Sequence, residues 1–150
     1  MKLLNSFAAI AIISGGMFVV VKPASAQNSN SEEAAVRVPL ENYLKGHATG
    51  DSTYFKKAFH SEAKLFWIRD GKFSQRTSAS YISGASGKPA DDEALRKRSI
   101  ASIDITGNTA VAKIILDYPN ALLTDYMSLL KVDGEWKIVN KIFNVQQKSH

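Results

Sequence analysis

From Ser99 onward the chain alternates apolar and polar residues in "SIASIDIT", "TAVAKIILDY", "LLTDYMSLLKV" and "EWKIVNKIFNV". A period of two predicts strands with one buried face. Gly107-Asn108, Pro119-Asn120 and Asp133-Gly134 separate these runs and read as tight turns. Upstream, "AKLFWIRDGKFSQR" predicts a further hairpin around Asp70-Gly71, because both central positions of a two-residue hairpin turn favour such residues. The first half of the chain is spaced differently. Ser29 and Glu32 fit a capping box that opens a helix through "EEAAVRVPLENYLKGHATG" to Gly50, with Pro39 either kinking or dividing it. Asp51 can cap a second helix over "STYFKKAFH", and "SASYISGA" predicts a third, short one. Helices followed by an antiparallel meander make the class α+β.

Two-residue turns fix the strand pairing. Across Asp133-Gly134, Lys131 opposes Trp136, Leu129 opposes Ile138, Met127 opposes Asn140 and Asp125 opposes Ile142. Across Pro119-Asn120, Leu116 opposes Leu123, Ile114 opposes Asp125 and Ala112 opposes Met127, and Ile105, Ile103 and Ala101 join the same side. This predicts a helix-facing apolar surface interrupted by two polar residues, Asp125 and Asn140. The outward face then carries Ser102, Asp104, Lys113, Tyr126, Ser128 and Lys141 with Leu130, Val139 and Phe143 among them, apolar enough to suit a partner subunit. A buried carboxylate must be neutralised, hydrogen-bonded or solvated, so part of the inner face is expected to line a cavity or hold a polar cluster.

The ends and the composition narrow the setting. Lys2, an apolar run from Phe7 to Val21 and the Ala24-Ser25-Ala26 site form the three parts of an export leader, residues 1–26. Ser14, Gly15 and Gly16 interrupt that run, which is short for a bilayer span of about 20 residues, so no stable membrane span is expected after cleavage. Residues 27–31, "QNSNS", read as an unordered tail, and residues 32–150 as a single domain. Cleavage removes Lys2 and Lys22 and no acid, taking the net charge from +5 to +3. With bases and acids interspersed, as in "DDEALRKR", no nucleic-acid footprint is expected. The absence of cysteine excludes disulfides, thiol nucleophiles and zinc-thiolate sites.

The segments "YLKGHATGD", "AFHSEAKLFW", "IASIDITGNTAVAKI" and "TDYMSLLKVDGEWKIVNKIF" resemble the putative lumazine-binding branch of the nuclear transport factor 2-like superfamily, near the SnoaL-like cyclases. The likeness covers about residues 33–145, and its C-terminal hairpin from Asp125 to Val139 is the most specific part. It implies a cone-shaped barrel of a curved, mostly antiparallel sheet wrapped around N-terminal helices, with a pocket at the open end and dimers through the outer sheet surface. Superfamily members include isomerases, dehydratases, hydrolases and cyclases as well as proteins that only bind, so the fold leaves function open.

Candidate chemistry is sparse. Asp125 reads either as a general base in an apolar pocket or as a structural acceptor. His47, four residues after Tyr43 on the first helix, reads either as a pocket acid or base or as a helix-end charge. Tyr43, Trp67 and Tyr81 are candidate pocket aromatics, and with His47, Asp125, Met127 and Asn140 they form the expected ligand set for a flat, partly aromatic molecule. The spacing of His47 and His60 fits no metal motif, and phosphate and dinucleotide loops are missing, so neither metal nor cofactor is expected. The expectation is therefore an exported protein, periplasmic or secreted, that binds a small organic molecule. The alternative is a cofactor-independent isomerase, dehydratase or hydrolase using Asp125 or His47 as base.

Overall fold

The computed structural model describes residues 24–149, with side chains from Asn30 onward. All but the last three residues of the expected leader lie outside the described residues. Three helices, α1 (Ala24–Thr49), α2 (Ser52–Ala58) and α3 (Ser78–Ser83), accompany six strands: β1 (Phe59–Arg69), β2 (Lys72–Thr77), β3 (Lys97–Thr106), β4 (Thr109–Asp117), β5 (Ala121–Val132) and β6 (Glu135–Gln147).

α1 runs unbroken through Pro39, which is buried. Residues 27–31, expected as a loose tail, lie within it, and Ser29 is an interior position rather than the cap. Once a helix exists, each added residue gains a hydrogen bond without a new nucleation cost. Glu32 reaches the far end of the sheet instead of closing a capping box: its carboxylate accepts from Lys131 Nζ at 2.8 Å and from Trp136 Nε1 at 3.1 Å. Val36, Leu40 and Tyr43 recur at helical spacing on one face and are fully buried. Gly50 ends the helix with φ +69, its N–H bonded to Gly46 O at 2.9 Å. Asp51 caps α2 as expected, accepting from Thr53 N at 2.8 Å. α2 stops at Ala58, so Phe59 and His60 begin β1 rather than end the helix.

The sheet order is β2-β1-β6-β5-β4-β3, with β1 and β6 parallel and every other neighbour pair antiparallel. β2 and β3 are free edges, so the cone-like α+β sheet stays open on one side. Asp70 and Asp133 take φ +51, and Gly71 and Gly134 take +72 and +85. Both hairpins thus have the twist that Asp-Gly turns favour. The β4–β5 register is the predicted one, with Leu123 opposite Leu116, Asp125 opposite Ile114 and Met127 opposite Ala112.

Two bulges change the rest. In β6 the ladder runs Leu129–Ile138 and then Ser128–Asn140, leaving Val139 as the extra residue. Everything after it is shifted by one: Met127 faces Lys141, Tyr126 faces Ile142 and Asp125 faces Phe143. Asn140 and Ile142, expected inside, therefore lie on the outer face, and Lys141 and Phe143, expected outside, turn toward the helices. In β3 a second irregularity between Ile100 and Ser102 gives Ile100 the inner position and leaves Ala101 exposed.

Candidate functional site

Asp125, from the middle of β5, has no solvent exposure. Its Oδ2 accepts from the Tyr43 hydroxyl at 2.5 Å, and its Oδ1 lies 3.3 Å from Lys141 Nζ. The same ammonium donates to the Tyr43 oxygen at 2.9 Å, closing a buried triangle of acid, phenol and base. Burial pulls the Lys141 pKa down and Asp125 opposes that, while burial raises the Tyr43 phenol far above its ordinary value. Lys141 also lies over the rings of Tyr43, Tyr81 and Phe143, at 5.2, 5.4 and 4.4 Å.

A second chain of polar groups runs beside it. Tyr81 OH and His47 Nε2 are 2.7 Å apart, and Tyr118 OH lies 3.4 Å from His47 Nδ1. Arg98 donates from Nε to the Tyr118 oxygen at 3.2 Å and from its two terminal nitrogens to Glu93 at 2.5 and 2.7 Å. Burial, then the charges of Lys141, Arg98 and Arg96, push the His47 imidazole down to about 3, so it is neutral at pH 7. Arg98 can only donate, so the Tyr118 oxygen accepts from it, and the neutral imidazole bridges Tyr118 and Tyr81 with one nitrogen donating and the other accepting. Burial raises the Tyr81 phenol, which stays protonated.

His47 and Tyr81 form part of the wall of an open cavity of about 700 Å³, bounded also by Gly46, Gly50, Phe55, Arg76, Arg96 and residues 84–86 and 88–92. Gly46 is required by the approach of α2: a Cβ there would lie 2.7 Å from the Phe55 ring. At Gly50 a Cβ would lie 2.2 Å from both Lys88 O and Ser86 Oγ, so this residue lets the 86–88 loop close over the helix end. Phe55 and Tyr81 meet edge to face at 5.2 Å, and Arg76 lies 4.5 Å from the Tyr81 ring.

Of the residues expected to meet a ligand, His47 and Tyr81 reach this cavity. Tyr43 and Asp125 are fully buried and Met127 is 1% exposed, all three belonging to the core. Trp67 stacks on Phe143 at 5.4 Å, with its Nε1 buried and unpaired. Asn140 borders a hollow on the outer sheet surface, where the β6 bulge has turned it. Lys141, Arg76, Tyr118 and the 84–92 loop had been missed. For Lys141 a signal was present: a buried carboxylate demands a cation, and a one-residue slip in β6 supplies one.

Residues 31–144 match the family described as "Putative lumazine-binding". The chain belongs to this family. Its fold is shared with a nuclear transport factor 2-like protein of unknown function from Shewanella baltica, 31% identical, with 79% of this chain and 97% of that one covered and a TM-score of 0.71. A second such protein, from Methylobacillus flagellatus, is 28% identical over 87% of this chain and 99% of its own, with a TM-score of 0.62. This lumazine-binding-family chain is also 27% identical over 118 residues to a Cladobotryum protein named aldolase FrzH, covering 77% of this chain and 93% of that relative.

Proposed function

We propose that this chain is an exported small-molecule-binding protein whose ligand occupies the cavity walled by His47 and Tyr81. The observation that carries the reading is that cavity: about 700 Å³, within the ordinary range of roughly 300–1,000 Å³ for organic ligands, in a chain of this family. Its wall pairs aromatic faces with a phenol and a guanidinium. Asp125 takes a structural part, sealed from the cavity by its contacts with Tyr43 and Lys141. The leader pattern in residues 1–26 supports delivery to the periplasm or the medium, and no helix among the described residues is long and apolar enough to cross a membrane. Native mass spectrometry of the protein isolated from its own compartment tests both points. A subunit beginning at Gln27 and carrying a defined organic adduct is expected; a subunit retaining residues 1–26 removes the export reading.

A second reading is a cofactor-independent enzyme of the isomerase, dehydratase or hydrolase type. Likeness to a protein named an aldolase, and the 2.7 Å His47–Tyr81 contact at the cavity wall, favour it. Against it, an imidazole held near 3 is poorly matched as a base at neutral pH. Solvent-deuterium exchange into the C3 methylene of 2-oxobutyrate, the carbon next to the ketone, followed by proton NMR, decides: exchange above the buffer rate that is lost in His47→Gln supports catalysis.

The outer sheet face, with Ile68 and Phe73 about two-thirds exposed beside Tyr126 and Ile142, suits a homodimer.

A further inference from the structure

The charges around the cavity do not cancel. Arg96 is paired with Asp92 at 2.7 Å, Arg98 is engaged by both Glu93 oxygens, and Lys141 by Asp125. Lys88 lies 4.0 Å from Asp91, both side chains standing in solvent. Arg76 has no carboxylate within ion-pair distance among the described residues. It is also held on the inner side of the sheet, since its β-partner is the buried Leu65. Its guanidinium lies 4.5 Å from the centre of the Tyr81 ring and 5.9 Å from that of Trp67, and the residue is exposed, so its donors are open to a ligand.

Tyr81 stands beside it. Its hydroxyl is engaged within the protein, 2.7 Å from His47 Nε2 and hydrogen-bonded to Tyr43, and its ring meets Phe55 edge to face at 5.2 Å. Arg76 thus sets a cation beside an aromatic wall. Neutral His47 adds no charge there, and the unpaired guanidinium gives the wall its preference.

We propose that the cavity selects a planar organic acid, its carboxylate on the Arg76 fork and its ring against the aromatic wall of Phe55 and Tyr81. This rests on the cavity being a ligand site, and the test separates the two claims. The probes are 2-naphthoate and its neutral isostere 2-naphthamide, titrated into the full mature protein and followed through the backbone NMR signals of Gly46, Gly84 and Ala85. Naphthoate is expected to bind at least about tenfold more tightly than the amide, because hydrogen bonds to a charged partner exceed neutral ones. Arg76→Gln should bring the two affinities together, and Arg76→Lys should restore part of the difference. Tyr81→Phe, which keeps the ring, should leave the preference for the acid. Equal binding of acid and amide by the unaltered protein overturns the charge inference and leaves the cavity standing. If neither probe moves those signals, the cavity reading falls with it.

Discussion

A neutral imidazole held among cations makes stability depend on pH in a defined direction. His47 is faced by Lys141, Arg98 and Arg96 and by the hydroxyls of Tyr81 and Tyr118, and its folded value of about 3 lies below the ordinary 6.5. Between those values the unfolded chain binds more protons than the folded one. This contribution is therefore fully present above pH 6.5 and lost as pH falls toward 3, reaching roughly 2 kcal/mol at pH 5. Glu32 and Glu93, both lowered by hydrogen bonds from basic partners, add losses of the same sign at more acid pH. Urea unfolding at pH 7 and pH 5 should show His47→Gln losing less stability over that interval than the parent. A second prediction concerns the buried triangle. Asp125→Asn strands the Lys141 ammonium and should cost about 3–5 kcal/mol, whereas Asp125→Leu with Lys141→Met should recover most of that. If the double variant is no more stable than the single one, the ion pair is not what Asp125 supplies.

Helices and strands meet at points where only one residue type fits, and Gly50 is such a point. Its φ of +69 and the 2.2 Å approach of Lys88 O leave no room for a methyl group. Gly50→Ala should displace the 86–88 loop, lower stability by about 1–3 kcal/mol and weaken any cavity ligand as well. Thermal unfolding and naphthoate titration on the same sample check both parts. The hairpins were legible because Asp70-Gly71 and Asp133-Gly134 state their turn geometry locally, and the β4–β5 pairing followed from the turn at Pro119-Asn120. The β6 bulge was not, since nothing in "IVNK" departs from ordinary strand composition. Reading straight through it placed Asn140 where Lys141 belongs. The cavity was equally hidden, because Arg76, Tyr81 and the 84–92 loop converge on it only through tertiary packing.

At the scale of the molecule the open question is what covers the outer sheet. Ile68, Phe73, Val111, Tyr126 and Ile142 are each at least half exposed, which suits a partner. Light scattering should report a dimer, and Ile142→Glu should convert it to monomer with unchanged far-ultraviolet circular dichroism; a parent that is already monomeric removes this reading. Ile142 reaches that face because of the extra residue at Val139, and the same residue bears on how the gene can change length. Two successive residues there occupy one rung, so losing a single codon leaves Asn140, Lys141 and Ile142 on the rungs they already hold. Gaining one codon further along the strand, with no bulge to absorb it, exchanges the interior for the exterior. Position 139 is thus a place in mid-strand where the reading frame of faces survives a deletion, and an alignment gap there signals conservation of the interior.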